Sequence, residues 1–132
     1  MNMAFARTRY RQAENVGHPP LDDPHQVISV TLRELERSLS VIAASIDAGS
    51  QAPSDHTNRA LTAVYVLQSS LDFEKGADIA TTLFEVYEFV RLQVLKVFQR
   101  DDTAEIHAAR DAIIEIYSAW KDIGPKATDA EK

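Results

Sequence analysis

The stretch that decides the fold is Ile28–Ile46, ISVTLRELERSLSVIAASI. Its large apolar residues, Ile28, Leu32, Leu35, Leu39, Ile42 and Ile46, recur at spacings of 4, 3, 4, 3 and 4. That rhythm lays them in one stripe along a helix of roughly six turns. Arg33, Glu34, Glu36 and Arg37 fall off the stripe, as residues of a solvated face do. Just upstream, Asp23-Pro24 predicts the start: the Asp carboxylate caps free N–H groups, and the fixed φ of Pro suits the first helical position. Gly49 predicts the stop, and Gly49-Ser50-Gln51-Ala52-Pro53 reads as a short loop.

Three further helices follow by the same reasoning. Ser54 or Asp55 is the expected cap of a second helix carrying Leu61, Val64, Leu67 or Gln68, and Leu71. Leu71-Asp72-Phe73-Glu74-Lys75-Gly76 interrupts the pattern and reads as a tight corner. A third helix places Ile79, Leu83, Val86, Val90, Val94 and Val97 on one face, with Phe84, Tyr87, Phe89, Leu95 and Phe98 in a second strip beside it. Asp102-Thr103-Ala104-Glu105 has capping-box spacing. It predicts the start of a fourth helix with Ile106, Ile113, Ile116, Tyr117, Trp120 and Ile123, ended by Gly124-Pro125. Four amphipathic helices with short connections predict an all-α fold, an antiparallel four-helix bundle over residues 24–123. Residues 1–23, punctuated by Gly17-His18-Pro19-Pro20 and Asp22-Asp23-Pro24, are expected to form a flexible N-terminal arm, and residues 124–132 a mobile polar tail.

Composition removes whole classes of function. A chain of 132 residues supports one core. The absence of Cys excludes a disulfide framework, a thiolate zinc site and a Cys nucleophile. Arg7, Arg9 and Arg11 hold three of the fourteen basic residues, leaving eleven bases against twenty acids in the remainder. An acidic body repels phosphate backbones, so no nucleic-acid partner is expected. The three Arg form too short a run for a presequence, with Glu14 close behind, and no apolar stretch approaches the ~18 residues of a membrane span. Direct membrane insertion is not expected, and the cytoplasm is the expected compartment.

Catalytic patterns are missing too. A carboxylate-bridged metal site in a bundle needs Glu-x-x-His pairs, and none of the four His has a Glu three residues before it. His18, His25 and His56 read as isolated surface or capping residues. No Ser lies on a Gly-x-Ser-x-Gly elbow, and four Gly in total exclude a glycine-rich phosphate loop. Neither an enzyme, nor a cofactor, nor a metal is expected. What remains is surplus apolar surface: Leu83, Phe84, Tyr87, Val90, Val94 and Phe98 on the third helix, and Val64, Tyr65, Val66 and Leu67 on the second. Either the third helix is central to the bundle, or the surplus forms a groove for a partner's amphipathic helix.

Ser69-Ser70-Leu71-Asp72-Phe73-Glu74-Lys75-Gly76-Ala77-Asp78-Ile79-Ala80 resembles the junction of helices two and three in the flagellin export chaperones, the FliS family. That junction has a Leu-Asp corner followed by a Gly-Gly-x-Ile-Ala run. Leu83-Phe84-Glu85-Val86-Tyr87-Glu88-Phe89 is similar to the family's Leu-x-x-Leu-Tyr-Asp-Tyr stretch. Asp101 and Asp102 match its polar turn, Trp120 the aromatic closing its last helix, and Tyr10, Val16 and Pro24 its Tyr-containing arm and helix-one Pro. The resemblance covers roughly residues 10–123. Three positions depart from it: Leu32-Arg33 stands for a Leu-Tyr pair, Ala77 for the corner's second Gly, and extra residues surround Gly17–Pro20.

The resemblance implies a cytoplasmic binding protein for the disordered C-terminal segment of flagellin. It would block premature polymerisation and present its cargo to the export gate at the membrane. On that basis Tyr65, Leu71, Ile79, Leu83, Phe84, Tyr87 and Val90 are expected to line or support the groove. Leu71, Ile79, Leu83 and Tyr87 rest on matched motif positions, the others on the helical faces. Tyr10 is the expected anchor of an arm folded over the body. Two alternatives use the same surface: a binding module for another flagellar or regulatory protein, and an obligate homodimer that buries the stripe against itself.

Overall fold

The computed structural model describes residues 23–123; the expected arm, with its anchor Tyr10, and the expected tail lie outside the described residues. Within them the chain forms four helices and no strand: α1 (Pro24–Asp47), α2 (Ser54–Ser69), α3 (Phe73–Phe98) and α4 (Ile106–Ile123). Each packs on its two neighbours in a ring. Contact is broadest where α1 meets α2 and α4, and thinnest between α3 and α4. Short connections make successive helices antiparallel. The closing pair, α4 and α1, is antiparallel as well: His25 meets Trp120 at one end, and Asp47 meets His107 Nε2 at 2.9 Å at the other.

The apolar stripe of α1 builds the core. Leu32, Leu35, Leu39 and Ile42 are fully buried, beside Val64 and Leu67 of α2, Val90 and Val94 of α3, and Ile106 and Ile113 of α4. Ile28 packs at the core's edge, whereas Ile46 lies past the last covered turn and is exposed. The most enclosed helix is therefore α1, and α3 is not central. No described helix is long and apolar enough to cross a membrane.

The helix ends combine expected and unexpected chemistry. Asp23 caps α1, accepting from the His25 N–H at 3.0 Å, with Pro24 in the first turn. Gly49, at φ 73°, closes it: its own N–H reaches the Ile46 carbonyl and that of Ser50 reaches Ser45. The same pair of bonds ends α3, from Arg100 to Val97 and from Asp101 to Lys96, with Arg100 in the left-handed conformation at φ 60°. Neither Ser54 nor Asp55 caps α2. Pro53 holds that position without a side-chain bond, and the Asp55 charge lies in the first turn, where the helix dipole favours it.

The capping box expected at Asp102–Glu105 does not form. Asp101 instead accepts from the Thr103 hydroxyl at 2.7 Å and the Thr103 N–H at 2.9 Å, and those bonds hold its carboxyl below the usual range. The Glu105 N–H donates across the bundle to Oε1 of the buried Gln93, at 2.8 Å. A tertiary contact thus replaces the local one.

His25 is also not the surface residue the sequence suggested. It is buried, its ring stacked on Trp120 at 4.6 Å.

Candidate functional site

The corner between α2 and α3 is tighter than Leu71–Gly76. Only Ser70, Leu71 and Asp72 separate the helices, and Phe73–Gly76 already forms the first turn of α3. Asp72 caps that turn, its carboxylate accepting from the N–H groups of Glu74 and Lys75 at 3.0 and 3.1 Å. The helix then breaks at Ala77, where φ is 45° and ψ −120°. Those angles match the first central position of a type II′ turn, a place that suits Gly.

The break folds the first turn back against the helix body. On a regular helix, neighbours three and four residues apart keep their Cβ atoms about 5–6 Å apart. A Cβ at Gly76 would stand 2.9 Å from that of Ala80. Phe73 and Phe84, eleven residues apart, would be separated by about 16 Å along an unbroken helix axis. Their ring centroids lie 6.0 Å apart, edge to face.

Phe84 also marks where α2 meets this surface. The Gln68 side-chain amide donates to the Phe84 carbonyl at 3.4 Å. Tyr65, one turn before Gln68, projects on the same side of α2. Tyr65 is 61% exposed, Phe73 51% and Phe84 39%, a run of aromatic surface along the seam between α2 and α3. Four residues beyond Phe84, Glu88 pairs with Arg91 through two hydrogen bonds, which raise the guanidinium's pKa. A charged margin borders the apolar strip.

Six of the seven residues expected at the groove divide into three pairs. Tyr65 and Phe84 share the exposed seam. Leu71, at the corner, and Leu83, one turn above Ile79, are half-buried and lean on the core. Tyr87 and Val90 are sealed, at 3% and 0% exposure, so they can support the seam only from beneath. Burial pushes the Tyr87 phenol up to about 12.

Ile79 stands apart. It is in phase with Leu83, Val86 and Val90, as its spacing implied, yet it is 71% exposed. Val90 shares that phase and is fully buried, so coverage and not orientation is what Ile79 lacks, at the end of α3 beside the break at Ala77.

The sequence reading left Phe73 out of the binding set by assigning it to the corner. No local spacing marks it, because its contact with Phe84 arises across the break at Ala77. The surplus apolar surface of α3 stays partly open, with Leu92 and Phe98 exposed as well.

Sequence comparison with known proteins finds relatives of the chain. The family profile described as "Flagellar protein FliS" matches residues 6–127. The flagellar secretion chaperone FliS of Salmonella typhimurium is 38% identical over 65 residues, 49% of this chain and 48% of that one. Its Vibrio cholerae counterpart is 28% identical over 104 residues, 78% of this chain and 76% of that protein. The chain thus spans about half the length of the Salmonella relative in that match. No solved structure matches. The chain belongs to the FliS family of flagellar secretion chaperones.

Proposed function

We propose that the protein is a cytoplasmic, non-enzymatic export chaperone that binds the C-terminal segment of flagellin along the seam between α2 and α3. The single observation that carries this is the exposed aromatic surface at the seam, the Phe73–Phe84 pair on α3 with Tyr65 on α2, on a chain of this family. A disordered segment that forms an amphipathic helix on binding offsets its ordering entropy by burying apolar faces, and such a strip offers that area. Leu71 and Leu83 extend the strip at its base, Ile79 adds apolar surface beyond it, and Tyr87 and Val90 fix the backbone from which it projects. Clothing the cargo's apolar faces would block assembly before export. Delivery to the export gate is part of the same reading, as is Tyr10 as an anchor of the N-terminal arm.

The test is calorimetric titration with a synthetic flagellin C-terminal peptide, beside a control peptide of equal hydrophobicity, followed by circular dichroism of the mixture. Selective binding with helix gained beyond the sum of the components is expected. Equal affinity for both peptides would sink the flagellin assignment and leave a less selective binding module. Light scattering at low micromolar concentration checks that the seam is free rather than shared between two copies.

A further inference from the structure

We propose that the first turn of α3, Phe73–Gly76, is a hinged latch that pivots at Ala77 and shields one side of the otherwise exposed Phe84 until a helical partner segment replaces it. This rests on the seam between α2 and α3 being the flagellin-binding face.

Three observations converge on the pivot. Ala77 occupies a positive-φ conformation that suits Gly and strains an L residue with a Cβ. Gly76 is pressed so close to Ala80 that a methyl group could not be added, at 2.9 Å, without displacing one of them. Phe73 lies on Phe84 only because the turn is folded back, and its ring is otherwise half exposed. A strained dihedral thus opposes one aromatic contact, while the Asp72 cap holds the turn together as a unit. Opening the latch would relax Ala77 toward helical angles and bare the Phe84 face. The incoming segment would then supply the apolar contact that Phe73 supplies in the free chain. Strain stored at Ala77 lowers the work of opening, so this backbone position would set affinity without touching the cargo.

Two substitutions act in opposite directions. Ala77→Gly removes the strain and favours the closed latch. Gly76→Ala places a methyl against Ala80, favours regular helix, and so favours the open one. The readouts are ring-to-ring nuclear Overhauser effects between Phe73 and Phe84 in the free protein, and the Kd for the synthetic flagellin C-terminal peptide. The Phe73–Phe84 contact is expected in the wild type and in Ala77→Gly, reduced in Gly76→Ala, and lost when wild type is saturated with peptide. Ala77→Gly should weaken binding by roughly fivefold, and Gly76→Ala should tighten it.

Contact that persists in the saturated complex overturns the latch, as do affinity changes of the same sign in both variants. If wild type binds no flagellin peptide, the binding reading falls, and the pivot is judged on the free protein. There, a folded Gly76→Ala that keeps the Phe73–Phe84 contact overturns it. If Gly76→Ala does not fold, unchanged affinity in Ala77→Gly overturns the latch by itself.

Discussion

His25 and Trp120 hold each other through two hydrogen bonds and a stacked pair of rings. The Trp120 indole Nε1–H donates to the His25 carbonyl at 3.0 Å, and His25 Nε2 lies 3.1 Å from the Trp120 carbonyl. The rings are 4.6 Å apart and 11° from parallel. The carbonyl that His25 meets is one of the last four of α4, which have no partner within their own helix. The pair therefore ties the first turn of α1 to the last turn of α4 and satisfies a helix end while doing so.

Removing the pair should loosen that end of the bundle. Trp120→Phe keeps an aromatic ring but deletes the indole donor, and His25→Ala deletes the stack and the bond to the carbonyl. A loss of about 1–3 kcal/mol is expected from each, seen as a drop of about 4–8 °C in melting temperature per kcal/mol. Thermal unfolding followed by circular dichroism measures it, and melting curves identical to wild type would show the clasp to be idle.

How much of this was legible in the sequence depends on how local each signal is. Leu32, Leu35, Leu39 and Ile42 announce a buried stripe by spacing alone, and Asp23-Pro24 and Gly49 announce its ends, because periodicity and capping are properties of neighbouring residues. The Gln93 bond to the Glu105 N–H joins two helices and leaves no local trace, so the nearby Asp-x-x-Glu spacing pointed to a cap that the structure does not use. His25 misled for the same reason, since its partner is far along the chain. Ile79 carried the right phase but not the right burial: spacing tells which way a side chain points, not whether a neighbouring helix covers it. Ala77 and Arg100 adopt positive φ with no Gly to signal it.

Burial of Tyr87 predicts a specific alkaline weakness. The folded state holds the phenol protonated up to about 12, whereas the unfolded chain ionises near the ordinary value of 10.0. Stability from this group is complete below pH 10 and is lost as pH rises from 10 toward 12, by about 2–3 kcal/mol in all. Urea unfolding of wild type and Tyr87→Phe at pH 8 and at pH 11 isolates the effect. The gap between the two proteins should shift in favour of the Phe variant at the higher pH, and a constant gap would count against it.

Strain at Ala77 predicts that Ala77→Gly stabilises the fold, unusual for a Gly placed inside a helix. Relief of a disfavoured backbone conformation is worth about 1–3 kcal/mol, offset by about 0.5–1 kcal/mol for the extra freedom of Gly in the unfolded chain. A net gain of about 1 kcal/mol is expected. Chemical denaturation with an unchanged slope reads it directly, and a loss of stability would mean that the dihedral carries no strain.

Core and seam should separate in a paired experiment. Leu39 is fully buried in α1, and Leu39→Ala leaves a cavity that destabilises by about 2–5 kcal/mol, a large share of the 5–15 kcal/mol typical of a domain. Where the variant remains folded, its affinity for the flagellin C-terminal peptide should match wild type, because Leu39 lies on the helix farthest around the ring from α3. Tyr65→Ser does the reverse. Its ring is mostly in water, so stability should change by no more than about 0.5 kcal/mol. A Tyr at the centre of an interface commonly contributes upward of about 1.4 kcal/mol, so peptide affinity should fall by about tenfold or more. Tyr65→Phe, which keeps the ring and drops the hydroxyl, should restore most of the affinity if apolar burial drives binding. Wild-type affinity in Tyr65→Ser, together with a lowered melting temperature, would move Tyr65 from the binding seam to the structural framework.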